Sequence, residues 1–479
     1  MQLSFEQLQN DLEKLSVLEW NKKGEESAFA LFQSVARSVP AYADVLAKAG
    51  VDPENIKTWF EVVKNVPIID KDSYVNVYAP KDRMWPEDRS RGGVVYASSG
   101  TTGKPTFWLR NLSHDEETSI LHEVLLKKFF HIDKYRTLFI DCFAMGIHVA
   151  GFITATSIHN VARNNRNVFL ATPGSKKDDI IATLTYWAPN VDQIVLIGYP
   201  PLMRDIINEA KAAGFDWSLV KKSFLFAAQG FSESWRNHIL EIAAGDEDTA
   251  ILNMYGSADM GPMGFETPTT ISLRKSLESG DVQYNFDLPN LSSTSPYIFN
   301  YIPTQRFFED VNHELVCTGD NGMPLVRYNI HDLGGIISPG TFKIENRGWD
   351  LPGLYLFGRS NHAVVFYGAN IYPEHVQKSL EDSNVISFTS GRFFLEVKET
   401  EDHDPGLYIS IELGPGVVSN EDLKSKLSEH VFKFLCQINR EFLVVFREMK
   451  NEHRVFVNLH ENGHEMFVSK KMKQTYFRK

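Results

Sequence analysis

The chain has 479 residues and a mass of 54.5 kDa, beyond the ~250 to 300 residues at which a single hydrophobic core stops growing, so two or more cooperating units are expected and a minimal binding module is excluded. With 43% hydrophobic, 12% aromatic and 23% charged residues it has the composition of a folded globular protein and not of a disordered one. Lys plus Arg number 49 against 61 for Asp plus Glu, a formal charge of −12, which argues against broad nucleic-acid binding and leaves room for a local basic pocket for a small anion.

Glu6, Asp11 and Glu13 stand where a secretory signal needs a basic start and an unbroken apolar stretch, so no signal peptide is expected. Leu8, Leu12, Leu15 and Leu18 recur at helical spacing and predict one amphipathic helix. Residues such as His148 and Asp192 interrupt every long apolar segment, and no bilayer-spanning segment is expected. Cys142, Cys317 and Cys436 are far apart, without C-x-x-C spacing, which fits a reduced, cytoplasmic compartment.

Apolar stretches rich in β-branched or aromatic residues alternate with helical patterns, predicting an α/β architecture. Residues 193–197 read as a strand before a helix at 199–214, and 223–226 as a strand before a helix at 232–244. Ser232 is a candidate N-cap for the second helix, Glu233 suits the positive end of its dipole, and Gly230 keeps the preceding turn open. Residues 267–305, rich in Ser, Thr, Asn, Pro and Tyr, predict loops and short strands. Beyond the apolar 354–357 come a turn at 358–360, a strand at 363–367, a Gly-Ala-Asn turn and a helix from Pro373, whose fixed φ suits a first turn. A boundary falls near 359–361, and the segments 393–397, 407–413, 420–435 and 441–449 read as a small α+β domain.

The sharpest local signal is Val94-Val95-Tyr96-Ala97-Ser98-Ser99-Gly100-Thr101-Thr102-Gly103-Lys104-Pro105-Thr106. Gly100 and Gly103 let the backbone approach a polyanion, Ser98, Ser99, Thr101 and Thr102 offer hydroxyl donors, and Lys104 supplies charge. That combination suits the triphosphate or pyrophosphate of a nucleotide. It is not a Walker loop, which needs Gly at 98 and Ser or Thr at 105. Nor does the chain carry a G-x-S-x-G elbow, an H-E-x-x-H pair or a dinucleotide fingerprint followed by an acid. His114, His122, His159 and His331 lack metal-ligand spacing.

The Ser-Ser-Gly-Thr-Thr-Gly-Lys-Pro run resembles the phosphate-binding signature of the adenylate-forming superfamily, which includes acyl- and aryl-CoA synthetases, peptide-synthetase adenylation domains and luciferases. Further segments follow in the expected order. Met254-Tyr255-Gly256-Ser257-Ala258-Asp259 resembles a Tyr-Gly-x-[Ser/Thr]-Glu segment, with Ala258 at the hydroxyl position and Asp259 one methylene shorter than Glu. The resemblance implies that Tyr255 and Gly256 border adenine and that Asp259 holds Mg²⁺, directly or through water. Phe226-Ala227-Ala228-Gln229-Gly230-Phe231 is similar to the Phe-Gly-Ala-Glu-Pro stretch of phenylacetate–CoA ligase-like members, with Gln229 in place of the acid. Met323-Pro324-Leu325-Val326-Arg327-Tyr328-Asn329-Ile330-His331-Asp332-Leu333 resembles the Met-Pro-x-Ile-Arg-Tyr-x-x-x-Asp-Leu segment of that branch, which implies that Asp332 accepts from the ribose hydroxyls. Gly358-Arg359-Ser360-Asn361 and the Gly368-to-Pro373 turn resemble the family hinge, with Asn361 at the usual Asp and Arg359 on ribose or phosphate. In the basic tail Lys471 is the nearest match to the lysine that reaches the α-phosphate, with Lys470 and Lys473 as rivals.

What the resemblance implies is a large N-terminal α/β domain, 1–358, that binds ATP and a carboxylic acid, and a small mobile C-terminal α+β domain, 359–479, hinged near 359–361. Lys471 and Lys104 are the catalytic candidates, and Phe143, His148, Ala227, Ala228 and Gly261 the acyl-pocket candidates. The implied reaction activates a carboxylate as acyl-AMP and passes it to a thiol of coenzyme A or of carrier-protein pantetheine. Transfer to an amine, AMP kept on the product, and a weakened nucleotide- or acyl-binding homologue stay open. So does a homodimer; neither nucleic acid nor membrane is an expected partner.

Overall fold

The computed structural model describes residues 4–89, 92–98, 106–146, 149–228, 230–282, 284, 295–341, 348–359, 364–371, 373–380, 382, 384–449 and 454–467. The leucine stripe at the amino terminus is divided between two helices, Phe5–Lys14 and Val17–Ser38. Ser16 is the cause. Its hydroxyl accepts from the Glu19 N–H while the Glu19 carboxylate accepts from the Ser16 N–H at 2.8 Å, a reciprocal cap that starts a new helix where the apolar spacing alone predicts continuation. Leu8 and Leu12 are buried, whereas Leu18 is 70% exposed. The same device overturns the expectation of loops and short strands over 268–279, while a short strand at Tyr297–Asn300 agrees with it. Thr267 and Thr270 cap the helix Pro268–Ser279 reciprocally, with Pro268 in its first turn.

The described residues form two compact units, the larger up to Ser98 and over Phe107–Gly358, the smaller made of Thr106 and the residues from Arg359 onward. In the larger unit β1 (Gly93–Ser98) and β2 (Thr106–Asn111) make a two-stranded sheet. The strands β3 (Thr137–Asp141), β4 (Val168–Ala171), β5 (Gln193–Gly198), β6 (Lys221–Ala227) and β7 (Ile251–Ser257) continue into β8 (Gly261–Phe265), β9 (Tyr297–Asn300) and β10 (Arg306–Val311). They are joined by β11 (Glu314–Gly319), β12 (Leu325–Ile337) and β13 (Gly353–Arg359). Among the described residues these eleven strands form one sheet in the order β10-β11-β12-β13-β9-β8-β7-β6-β5-β3-β4.

From β4 to β7 all pairings are parallel, so helices must return the chain and cover both faces. One face buries Leu138, Ile140, Leu196, Phe224 and Phe226 beneath the helices Lys177–Trp187, Pro200–Ala212 and Glu233–Ile242. The other buries Phe139, Val195, Ile197 and Leu225 against Leu126, Phe130, Ile158 and Val161 of the helices Leu112–Phe130 and Val149–Asn164. Ser232 caps its helix by accepting from the Trp235 N–H at 3.1 Å. Below β7 a fully buried group of four charges balances itself. Arg236 grips Glu233 with two bonds and Glu266 with a third at 2.8 Å, and Arg274 approaches Glu233 at 3.4 Å.

The smaller unit begins with β14 (Val364–Phe366) and β15 (Ala369–Ile371), whose pairing leaves Tyr367 and Gly368, both at positive φ, as a two-residue turn. The turn therefore precedes the expected Gly-Ala-Asn triplet, whose Ala and Asn join the second strand. The helix Pro373–Leu380 follows. The strands β16 (Thr389–Glu399), β17 (Pro405–Leu413) and β18 (Val455–His460) form a mixed sheet with the helix Glu421–Ile438 over it. Their shared core includes Phe393, Leu395, Ile409, Val431, Leu435 and Phe442. Among the described residues no helix is long and apolar enough to cross a membrane.

Candidate active site

β7 and β8 are antiparallel neighbours joined by a tight turn, which places Asp259 at its tip. The Ser257 hydroxyl accepts from the Met260 N–H at 3.1 Å and closes the turn. Tyr255, near the end of β7, stacks on Phe299 at a ring separation of 5.6 Å. The hydroxyl donates to Asp332 Oδ2 of β12 at 2.5 Å. Four residues earlier on β12, the Tyr328 hydroxyl donates to Asp259 Oδ2 at 2.6 Å. Two segments far apart in sequence are thus tied by a reciprocal pair of tyrosine-to-carboxylate bonds.

β7 and β12 stand four steps apart in the sheet, about 19 Å on a flat sheet at ~4.8 Å per step. A tyrosine and an aspartate cannot bridge that span. The sheet must curl between them, and the two bonds close the curl. Asp332 and Tyr328 are both buried, so their polar atoms need partners, and each finds one in the other segment.

The neighbouring Arg327 plays a different part. It is buried, sits at a φ of 52°, grips Glu309 through Nε and Nη2, and donates Nη1 to the Val63 and Val66 carbonyls. It therefore anchors β12 to the amino-terminal helices and does not pair with Asp332. His331 approaches Asp70 at 3.2 Å and Glu314 at 3.3 Å.

Ala227 ends β6, and Ala228 follows at a φ of 68°, a backbone state uncommon for a residue with a Cβ. A side chain at Gly230 would meet the Tyr297 ring at 2.1 Å, so this glycine makes space for an aromatic ring. Gly261, at a φ of 67°, lies against Asn321 and Arg110: a Cβ there would sit 2.7 Å from Asn321 Oδ1 and 2.9 Å from Arg110 Nη1. Phe143 is 1% exposed and meets Tyr199 edge to face at 5.2 Å. Its N–H donates to Asp141 Oδ1 at 3.0 Å, at the carboxyl end of β3. Asp141 is fully buried, its Oδ2 has no hydrogen-bond partner among the described residues, and burial holds its carboxyl well above the ordinary carboxylate range.

Several sequence-derived candidates lie outside the described residues: Ser99, Gly100, Thr101, Thr102, Gly103, Lys104, His148, Gln229, Asn361, Lys470, Lys471 and Lys473. Ser98 ends β1 and Arg359 ends β13, and their side chains also fall outside the description. Among the described residues no group of three or more His, Cys, Asp or Glu side chains could hold a metal ion.

Two residues here escape sequence reasoning. Tyr328 lies inside a recognised segment, yet nothing in the string shows that its hydroxyl orients Asp259. Arg83, at the end of the helix Pro80–Arg83, reads in sequence as one of several surface charges but is 3% exposed. Its guanidinium lies over the Trp108 ring at 5.4 Å and its Nε donates to the Tyr78 carbonyl at 3.1 Å. Burial lowers its proton affinity, against which the nearby Tyr74, Tyr328 and Asp259 act.

No protein-family model matches the chain. The phenylacetate-coenzyme A ligase of Aromatoleum evansii is 21% identical over 394 residues, 79% of this chain and 78% of that protein. A crystal structure of 2-hydroxyisobutyryl-CoA ligase with 2-HIB-AMP and CoA, in its thioesterification state, aligns at a TM-score of 0.65 and 14% identity over 98% of this chain and 91% of that one. The same enzyme in its postadenylation state, with R3-HIB-AMP, aligns at 0.55 and 14% identity over the same shares, 98% and 91%. These likenesses establish the fold across nearly the whole chain. By sequence the chain is similar to phenylacetate-coenzyme A ligase, and by fold to 2-hydroxyisobutyryl-CoA ligase, both adenylate-forming enzymes.

Proposed function

We propose that the chain is an AMP-forming carboxylate–thiol ligase. A carboxylate is a poor acyl donor because its leaving group would be oxide. Attack of a carboxylate oxygen on the α-phosphorus of ATP breaks the bond to the β-phosphate oxygen and releases pyrophosphate. The thiol of coenzyme A or of carrier-bound pantetheine then attacks the acyl carbon, AMP leaves, and the thiol proton passes to solvent.

The observation that carries this reading is the pair of bonds from Tyr255 to Asp332 and from Tyr328 to Asp259. Asp332, oriented by its bond from Tyr255, accepts from the ribose hydroxyls, while the Tyr255 ring borders adenine. Asp259 fits Mg²⁺ as a single hard ligand, since such an ion takes one or two carboxylates beside phosphates and water. Bound there, it would neutralise charge developing on the phosphate oxygens. The 98–104 loop cradles the phosphates with Lys104, and Lys471, or its neighbours Lys470 and Lys473, serves the α-phosphate. Each such contact is worth ~3 kcal/mol of transition-state stabilisation. Gln229 lines the nucleotide pocket, Arg359 takes ribose or phosphate, and the hinge at 359–361 lets the small domain serve both half-reactions. The acyl group lies near Phe143, His148, Ala227, Ala228 and Gly261.

The test is incubation with ATP, Mg²⁺, coenzyme A and a panel of carboxylic acids, following pyrophosphate, AMP and thioester. Acid-dependent pyrophosphate together with thioester is expected. Pyrophosphate without thioester would remove the thiol acceptor, and no acid-dependent pyrophosphate would remove the whole reading.

A further inference from the structure

A guanidinium cannot shed its charge at neutral pH, so burying one without an anionic partner is costly. Arg83 is in that position. It is 3% exposed, its Nη1 is buried with no hydrogen-bond partner among the described residues, and its Nε donates to a neutral carbonyl, that of Tyr78. Among other buried arginines of the large unit, Arg110 pairs with Asp115, Arg236 with Glu233 and Glu266, and Arg327 with Glu309, while Arg306 bonds backbone carbonyls and the Asn321 side chain through all three of its nitrogens.

The position of Arg83 is informative. Trp108, over which it lies, belongs to β2, the strand that follows the 99–105 run in sequence. Tyr328 and Asp259, the pair at the β7–β8 turn, are near enough to act on its charge. Arg83 is therefore close to the residue assigned above to the cation. We propose that Arg83 is a phosphate-binding residue of the nucleotide site, its free Nη1 donating to an oxygen of the pyrophosphoryl portion of ATP. This rests on the function proposed above and adds a residue to it. Arginine suits the task because its planar fork matches a phosphate and its face stacks on an indole.

Binding of ATP, pyrophosphate and AMP to the full-length chain, measured by titration calorimetry, tests this. Arg83→Met should weaken ATP and pyrophosphate by about 10- to 100-fold and AMP by no more than about threefold, the loss of one charged hydrogen bond confined to the leaving portion. Unchanged pyrophosphate affinity, or equal losses for ATP and AMP, would assign Arg83 to balancing Asp259 and overturn the proposal. Should Arg83→Met fail to fold, Arg83→Lys keeps the charge and stem without the fork. It should still lose pyrophosphate selectively, and wild-type affinity in that variant overturns the proposal equally. If the wild-type chain binds AMP, ATP and pyrophosphate and only the Arg83 prediction fails, the ligase reading stands. If it binds none of them, that reading falls and takes this one with it.

Discussion

From β3 to β7 the large sheet is parallel and covered on both faces: all five residues of β3 and all six of β5 are buried. In the antiparallel part, β10 alternates buried and half-buried positions from Arg306 to Glu309, and so does the stretch of β12 from Tyr328 to Leu333. The contrast follows from topology. A parallel strand needs a crossover on each side and so becomes apolar throughout, while a meander leaves every second position free to be polar. Tyr328 and Asp332 lie on the buried side of β12, so their polar atoms need partners, and those partners, Asp259 and Tyr255, sit where the parallel part ends. The parallel strands act as a frame; the site is built at the change of pattern.

The strongest challenge to this division is Phe139→Ala in the frame. It should cost ~3–5 kcal/mol, read as a lowered midpoint in chemical denaturation, with nucleotide affinity below the transition unchanged. A cost under ~1 kcal/mol would mean the frame tolerates cavities as a surface does. Next comes Asp141→Asn. Burial raises the Asp141 carboxyl, so the folded chain retains a proton that the unfolded chain releases above the ordinary carboxylate range. Stability is then lost as pH rises, by up to ~1.4 kcal/mol per pH unit until the folded carboxyl ionises. The Asn variant lacks this slope and should gain on the wild type in denaturation midpoints taken from about pH 5 to about pH 8. Parallel pH profiles for the two proteins would refute the assignment.

A smaller effect is expected from Tyr255→Phe, which strips a donor from a buried carboxylate: about 1 kcal/mol of stability, and weaker AMP binding by about tenfold. AMP affinity equal to wild type would separate the Tyr255–Asp332 bond from nucleotide recognition. The smallest change is Asp44→Asn, which breaks an exposed pair with Lys48. No measurable shift in midpoint is expected, and a clear one would show that surface charge matters more here than the frame does.

Much of the frame is legible in sequence, because β5, β6 and the Ser232 cap follow from local apolar runs and a hydroxyl before a helix. The misreadings share one cause. At Ser16 and at Thr267 a reciprocal cap outweighed the wider pattern, dividing a leucine stripe in one place and making a Ser/Thr-rich stretch helical in the other. The site is legible as segments, since Tyr255, Asp259 and Asp332 lie in recognisable strings. Their partnership is not, because it depends on sheet curvature accumulated over four strand steps. Arg83 leaves no local trace at all: the Trp108 ring beneath its guanidinium lies twenty-five positions further along the chain.

The bond between Tyr255 and Asp332 also has a dynamic consequence. It joins strands that the backbone ladder links only through three others, so an opening of β12 wide enough to expose its amides must first release β7. Exchange with deuterated solvent should therefore treat the two strands as one cooperative unit, despite their distance in the ladder.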